Sequence, residues 1–156
     1  MIKKIFAGLI IIASVSACNS TEISEPDFAV GEIDQKQLMQ EHPLFNRGFA
    51  TEMSSEEQNA LVKQWPNDLH IDVYFGTWCH DSQREVPKFL KLMSEHPEVS
   101  YRLVSLDYQK SDPRGLAADD EVKYTPTFVI KKSDNEIGRI VENTKENYAK
   151  DISNML

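Results

Sequence analysis

Residues 70–82 of this 156-residue chain read HIDVYFGTWCHDS. The first six residues are rich in β-branched and aromatic side chains, which is typical of a buried strand, and Gly76 permits a tight turn directly after them. A helix is expected next, because apolar side chains recur at positions i, i+3, i+4 and i+7, namely Val86, Phe89, Leu90 and Met93. Cys79 therefore falls where the predicted strand turns into the predicted helix.

On the N-terminal side of this unit, the patterns predict two helices. Residues 35–40 form a short helical candidate. A capping box opens the second helix, formed by Ser54 or Ser55 with Glu57 or Gln58 three residues later. Pro66 ends this second helix.

On the C-terminal side, the patterns predict a strand over 101–106, a loop over 107–115, a short helix over 116–122 and strands over 125–130 and 137–141. Residues 133–136 supply turn chemistry for a hairpin between the last two strands. Thr144 is expected to cap a final helix that buries Tyr148 and Ile152.

Two prolines complete a pattern around the cysteine. Pro87 lies eight residues after Cys79, and Thr125-Pro126-Thr127 opens the third predicted strand. Together with residues 75–82, these features resemble the thioredoxin family over residues 69–156. The resemblance implies an α/β fold, a three-layer thioredoxin-like sandwich in which helices flank a central mixed sheet.

The resemblance also implies a site. Pro126 takes the place of the cis-proline whose loop faces the reactive sulfur and pairs with an extended substrate segment. The residues predicted to bind substrate are Trp78, His80, Thr125 and Pro126. The plainer alternatives are core packing for Trp78, a solvated ring for His80 and an ordinary strand-opening proline for Pro126.

Cys79 is the predicted catalytic nucleophile. Unpaired N–H groups and the helix dipole stabilise an anion at a helix N-terminus, and the thiolate is the reactive form of cysteine. The alternative is an inert core cysteine, but the neighbours Trp78, His80 and Asp81 are polar or amphipathic. No second Cys or His stands at metal-ligand spacing from Cys79, so neither a metal nor a cofactor is expected.

Ser82 occupies the position of the second cysteine of a CxxC motif. A second thiol there would attack the mixed disulfide intramolecularly, which a serine does not do. Cys18 is the one other cysteine of the chain, so the sequence predicts monothiol chemistry resolved by an external thiol. We expect Ser82 to donate a hydrogen bond to the Cys79 sulfur, with a helix-surface or capping serine as the alternative.

Thioredoxins bury an acidic residue beneath the active site, and its place here falls on Val73. Asp72 is one position earlier and should face the other side of the sheet, because side chains alternate along a strand. The resemblance therefore does not extend to the proton relay.

Residues 1–17 have the layout of a secretion signal, with Lys3 and Lys4, an apolar stretch and small residues before Cys18. The ending Val-Ser-Ala-Cys resembles the lipobox of bacterial lipoproteins, which predicts a lipidated Cys18. The alternatives are an ordinary cleaved signal and an uncut membrane anchor. Residues 18–31 are predicted to be a flexible tether, and residues 32–156 the domain, with a helical extension before its core at about 69–156.

The lipobox predicts an exported protein held at the periplasmic face of the cell envelope. Asn19 is not the Asp that retains enteric-type lipoproteins at the inner membrane, which favours the outer membrane. The formal net charge of −8 argues against nucleic acid as a partner.

The expected function is thiol-disulfide exchange through Cys79, with envelope proteins that carry disulfides, or low-molecular-weight thiols, as partners. The rival is a non-catalytic binding or holding module for extended envelope polypeptides, which Ser82 favours. Peroxidase chemistry is a weaker third hypothesis, because the Pro and Thr that peroxiredoxins place before their cysteine are missing before Cys79.

Overall fold

A computed structural model of the protein describes residues 28–156. The elements along the chain are β1 (Gly31–Glu32), α1 (Gln35–Glu41), α2 (Pro43–Thr51), α3 (Glu56–Val62), β2 (Leu69–Phe75), α4 (His80–Ser94), β3 (Ser100–Ser105), α5 (Leu116–Asp119), β4 (Thr127–Lys132), β5 (Asn135–Val141) and α6 (Tyr148–Ser153). The predicted signal, Cys18 and most of the predicted tether lie outside the described residues. Within residues 28–156, no helix is both long enough and apolar enough to span a membrane.

The five strands form one mixed sheet in the order β1-β3-β2-β4-β5. β2 and β3 are parallel, with α4 as the crossover between them, and the other neighbouring pairs are antiparallel. This arrangement confirms the predicted α/β class and the mixed sheet. The end of β2 therefore leads directly into α4 at the carboxyl edge of the parallel pair.

The two faces of the sheet are covered unequally. Alternate residues of β2, among them Ile71, Val73 and Phe75, pack against α1, α2, α3, α4 and α6 in the larger core. Phe89 lies at its centre, with the rings of Tyr101, Phe128 and Tyr148 at centroid distances of 5.6, 5.2 and 5.6 Å. On the other face, a smaller apolar cluster lies under α5 and the residues around it. The three predicted layers are present, but one of them is thin.

The helical extension confirms two predicted elements and adds one. α1 coincides with the predicted helix, and the capping box forms between Ser55 and Gln58, although α3 ends at Val62. α2 was not predicted from the sequence; proline at its first position is the signal that was missed. α2 packs closely on α4, since a Cβ at Gly48 would lie 2.8 Å from Pro87 Cγ.

Three predicted boundaries in the C-terminal half were wrong. α5 has four residues instead of seven, because Glu121 adopts a positive φ of 51° that breaks the helix. β4 begins at Thr127, after the Thr125–Pro126 bond, because proline has no N–H for the ladder. The cap of α6 is Asn147, which accepts from the Lys150 N–H, and not Thr144.

The predicted hairpin between β4 and β5 is confirmed. Its two turn residues, Ser133 and Asp134, have φ angles of 48° and 64°. Positive φ at both central residues matches the right-handed twist of the flanking strands.

The end of the predicted tether differs from expectation. Residues 28–31 pack against the domain, and Gly31 pairs with Ser105 in the sheet. The Ala29 N–H donates to Thr77 Oγ1 at 3.1 Å, and Ser105 Oγ donates to the Ala29 carbonyl at 2.8 Å. Partly buried hydrogen bonds and the pairing of Gly31 hold these four residues in place, so they belong to the domain.

Candidate active site

Cys79 is the N-cap residue of α4. Its backbone is extended, and the Cys79 N–H donates to the Gly76 carbonyl while the Gln83 N–H donates to the Cys79 carbonyl. The side chain makes no capping bond and is half-buried. The sulfur therefore lies beside the unpaired N–H groups of the first turn, where an anion is stabilised.

The loop before β4 faces this sulfur. The Thr125–Pro126 bond is cis, and the Cys79 thiol donates to the Thr125 carbonyl oxygen at 3.3 Å. The Pro126 carbonyl accepts from the Glu142 N–H at 2.8 Å, which ties the loop to the end of β5. Two motifs 46 residues apart in the chain thus meet at the sulfur.

The surroundings favour the thiolate form of Cys79. Burial alone raises the pKa of the Cys79 thiol, but hydrogen bonds from the side chain of Thr125 and from the backbone and side chain of Ser82 outweigh it, so the pKa is lowered. The Asp81 N–H acts in the same direction. The Thr125 carbonyl is an acceptor and pairs with the protonated thiol only. All of these groups are neutral hydrogen-bond partners, so the sulfur has no fixed counter-ion among them.

Ser82 is completely buried and lies against the turn before Cys79. Its oxygen accepts from the Gly76 N–H at 3.2 Å. Since a hydroxyl that accepts still carries a proton to donate, this contact leaves the Ser82 proton available for the sulfur. The contribution of the Ser82 side chain to the lowered pKa of Cys79 agrees with that arrangement. Burial excludes the surface-serine alternative.

Trp78 lies over the turn and is fixed from three sides. Its indole N–H donates to the Leu106 carbonyl at 2.9 Å, its ring packs on Tyr108 at 4.6 Å, and Lys110 Nζ lies 4.8 Å from the ring centroid. A Cβ at Gly76 would lie 2.6 Å from Trp78 Cε2, so this ring position requires glycine there. Trp78 remains partly exposed beside Cys79, as a docking surface needs.

His80 is exposed at the first position of α4, where a solvated ring was the plainer alternative. Its neighbour Asp81 forms an ion pair with Arg84 at 2.7 Å, and Arg84 also donates to Asn143 Oδ1 at 2.8 Å. Arg84 thereby joins the first turn of α4 to the segment after β5. Among residues 28–156, no three His, Cys, Asp or Glu side chains are grouped as a metal site.

The carboxylate of Asp72 lies on the sheet face opposite the main core, as strand alternation predicted. Val73 belongs to the main core instead. Arg102 Nε donates to Asp72 Oδ1 at 2.7 Å, and Lys131 Nζ lies 2.9 Å from Oδ2, outside hydrogen-bond geometry. Burial raises the pKa of Asp72, but His70, Arg102 and Lys131 more than offset it and hold the pKa far below the ordinary value.

The polar network around Asp72 was not predicted from the sequence. Lys131 Nζ also lies 2.8 Å from Asp120 Oδ2, and Tyr74 Oη donates to the same oxygen at 2.6 Å. Burial and the Asp120 carboxylate raise the pKa of Tyr74, so its hydroxyl remains a donor. The alternation of polar residues along β2, β3 and β4 was the available signal.

A turn that presents one cysteine at a helix N-terminus, opposite a cis-proline loop on a mixed sheet, defines a protein of the thioredoxin-like class. A family model described as Thioredoxin matches residues 34–149. The chain belongs to the thioredoxin family.

Relatives with known names agree with this membership. The chain is 35% identical over 81 residues to mitochondrial thioredoxin-3 of Saccharomyces cerevisiae, which covers 52% of this chain and 59% of that protein. It is 28% identical over 83 residues to thioredoxin H9 of Arabidopsis thaliana, covering 53% and 56%. The matches thus span less than two thirds of either relative.

Among solved structures, a protein of unknown function from Pseudomonas aeruginosa has a TM-score of 0.53 to this chain at 14% identity, covering 66% of this chain and 64% of that one. At this identity the similarity is one of fold.

Proposed function

We propose that this protein exchanges thiols and disulfides through a single cysteine, Cys79. The observation that carries the proposal is the position of the sulfur: half-buried at the N-terminus of α4, 3.3 Å from the Thr125 carbonyl, with neutral donors that lower its pKa. A lowered pKa raises the fraction of Cys79 that is thiolate at a given pH, and the thiolate is the attacking species. The names of the relatives support the same chemistry.

The proposed reaction has two steps. The Cys79 thiolate attacks one sulfur of a disulfide, a new S–S bond forms, and the other half leaves as a thiolate that takes a proton from water. An external thiolate then attacks the mixed disulfide, leaves with the bound half as a new disulfide and restores Cys79. The protein gains and loses no electrons over the cycle. Ser82 carries a hydroxyl instead of a thiol, so it cannot release the bound half in place of the external thiol.

The proposed substrate surface consists of Trp78, the exposed His80 and the Thr125–Pro126 loop. The indole offers an apolar face beside the sulfur, and the loop offers backbone groups to an extended segment. We also propose that Cys18 is lipidated, so that the domain works at the periplasmic face of the envelope, with the outer membrane favoured. The lipobox-like sequence before Cys18 supports this part of the proposal.

The variant Cys79→Ala tests the exchange reaction. The protein is purified with Cys18→Ala, which removes the other thiol of the chain, and this background serves as the wild type in the assays below. It is treated with an aromatic disulfide reagent and its intact mass is measured. We expect one mixed disulfide on the wild-type protein, none on Cys79→Ala, and release of the bound half by added glutathione. Absence of the adduct on the wild-type protein would refute the exchange function.

The variant Ser82→Cys tests the monothiol step. A well-placed intramolecular thiol can react at an effective concentration of about 10⁵ M. Ser82→Cys should therefore release the bound half without glutathione, and the wild-type protein should not. Release by the wild-type protein alone would contradict the monothiol mechanism.

A non-catalytic holding module is the second candidate, and the absence of both a second thiol at Ser82 and a carboxylate at Val73 favours it. In that case Cys79 would capture a partner stoichiometrically. Multiple turnovers with glutathione and an excess of disulfide distinguish exchange from holding, because a holding module stops after one equivalent.

A further inference from the structure

Residues 28–31, here called the N-terminal strap, are bonded directly to the turn that carries Cys79. The Ala29 N–H donates to Thr77 Oγ1 at 3.1 Å, two residues before the cysteine. The strap itself is held by Ser105, whose hydroxyl donates to the Ala29 carbonyl and whose backbone pairs with Gly31. A segment that belongs to no helix of the domain thus reaches the turn of the candidate active site.

Thr77 is fixed from two directions. Its side chain accepts from the strap, and its carbonyl accepts from Gln83 Nε2 of α4 at 2.8 Å. The residue is 6% exposed, so these contacts are protected from competition by water. Since Gln83 also donates its N–H to the Cys79 carbonyl, the turn is clamped between the strap and α4.

The strap makes a second contact toward the site through aromatic rings. Phe28 packs edge-on against Tyr108 at 5.1 Å, and Tyr108 packs on Trp78 at 4.6 Å. Thr77 and Trp78, the two residues before Cys79, are therefore both restrained by the same four-residue segment, through two separate routes.

We propose that Thr77 is a positioning residue, through which the N-terminal strap holds the Cys79 sulfur in register with its hydrogen-bond donors. The inference rests on the proposed function and deepens it, because it names what sets the reactivity of the nucleophile. The physical reason is that hydrogen bonds weaken steeply with distance and angle. A loosened turn moves the sulfur away from the donors that stabilise its anion.

The test is the pH dependence of Cys79 alkylation by iodoacetamide in the purified full chain carrying Cys18→Ala, in which Cys79 is the single thiol. Thr77→Val keeps the shape of the side chain and removes the acceptor. We expect the midpoint of the alkylation rate against pH to rise by about 0.5 to 1 pH unit, which lowers the rate about threefold to tenfold at pH values well below the midpoint. Thr77→Ser keeps the acceptor and should restore the wild-type midpoint, and the exposed Thr51→Val on α2 is the matched control.

Ser105→Ala provides a second test, because it loosens the strap without changing the turn. It should shift the midpoint in the same direction by a smaller amount. Wild-type midpoints in folded Thr77→Val and Ser105→Ala would overturn the inference; if Thr77→Val does not fold, an unshifted Ser105→Ala decides against it. A wild-type midpoint at the ordinary value of about 8.5 would instead count against the proposed function, so the two failures are distinguishable.

Discussion

The structure holds two anion sites along one stretch of chain, and it stabilises them in opposite ways. Asp72 lies in the middle of β2 and is 1% exposed, with Arg102 and Lys131 as full cationic partners. Cys79 lies after the end of the same strand, half-buried, with neutral partners from Ser82 and Thr125. The first site compensates a charge with charges, and the second uses hydrogen bonds alone.

This difference suits a permanent anion in one place and a temporary one in the other. A buried ion pair that loses one member leaves an uncompensated charge, which costs about 3–5 kcal/mol. A nucleophile loses its negative charge whenever it forms a mixed disulfide. Neutral donors around Cys79 allow that change at small cost, whereas two cations make it expensive at Asp72. The first site is therefore built for stability and the second for reaction.

The largest expected effect follows from removing the permanent anion. Asp72→Ala removes the buried anion that Arg102 and Lys131 share. Lys131 keeps Asp120 and Arg102 keeps Glu32, so we expect the free energy of unfolding to fall by about 3 kcal/mol, the lower end of the range for a broken buried ion pair. Urea unfolding measures the loss, with the exposed Asp119→Ala as a control that should change it by less than about 0.5 kcal/mol. The alkylation midpoint of Cys79 in the folded variant should not move. An Asp72→Ala variant as stable as the wild type would show that the ion pairs of Asp72 do not stabilise the fold.

Lowering the pH should show the contribution of Asp72 to the stability of the wild-type protein. The pKa of Asp72 is lower in the folded than in the unfolded protein, so its contribution to stability is present above the unfolded value of about 3.9 and is lost as pH falls below it. Between pH 4 and pH 2 the wild type should lose up to about 1.4 kcal/mol per pH unit more than Asp72→Ala. Urea titrations at several pH values measure this difference; parallel stability curves would exclude Asp72 as its source.

At the reactive site, Ser82→Ala should have a smaller effect on stability. It leaves the buried Gly76 N–H without its acceptor, which costs about 1–3 kcal/mol. It also removes a hydroxyl that lowers the pKa of Cys79, so the alkylation midpoint should rise. Ser94→Ala, at the exposed end of the same helix, is the control for both measurements. A destabilised variant with an unchanged midpoint would make Ser82 structural only.

The smallest expected effect concerns the cation that lies over the Trp78 ring. Lys110→Met removes the ammonium group over the Trp78 ring, a contact of about 0.5–1 kcal/mol. Urea unfolding measures this contact: the free energy of unfolding of the wild type should fall by about that amount as salt is added, and that of Lys110→Met should not. Lys123→Met, an exposed lysine in the segment before Pro126, controls for net charge. A loss as large as that of Asp72→Ala would show that the reactive site also depends on a fixed cation.

The sequence predicted those parts of the fold in which local pattern and tertiary packing agree. The strand before Gly76, the stripe on α4 and the capping box at Ser55 each combine a periodicity with a specific local signal. The alternation of side chains along β2 also assigned Asp72 and Val73 to opposite faces. These features depend on near neighbours in the chain, which is why one sequence was sufficient.

The features that the sequence did not predict depend on contacts between distant residues. The partners of Asp72 come from β3 and β4, and no local spacing marks them as a set. The strap falls within the predicted tether because residues 19–31 are mostly polar and carry few large apolar side chains, yet Thr77 and Ser105 hold the strap in place. The cap of α6 is Asn147 instead of Thr144 because Asp151, within the helix, accepts from the N–H groups of Lys145 and Glu146. These two residues are thereby held outside the helix, which begins after them.

The place where the strap joins the domain has a consequence for the reach of the reactive sulfur. With Cys18 acylated as proposed, ten peptide units separate the lipid from Phe28, and a fully extended chain of that length spans at most about 35 Å. The tether would then join the domain at the strap, beside the turn that carries Cys79, and not on the side of the domain opposite to the sulfur. Oxidised segments close to the bilayer surface would meet the thiol at a raised effective concentration, and those deep in the periplasm would lie out of range.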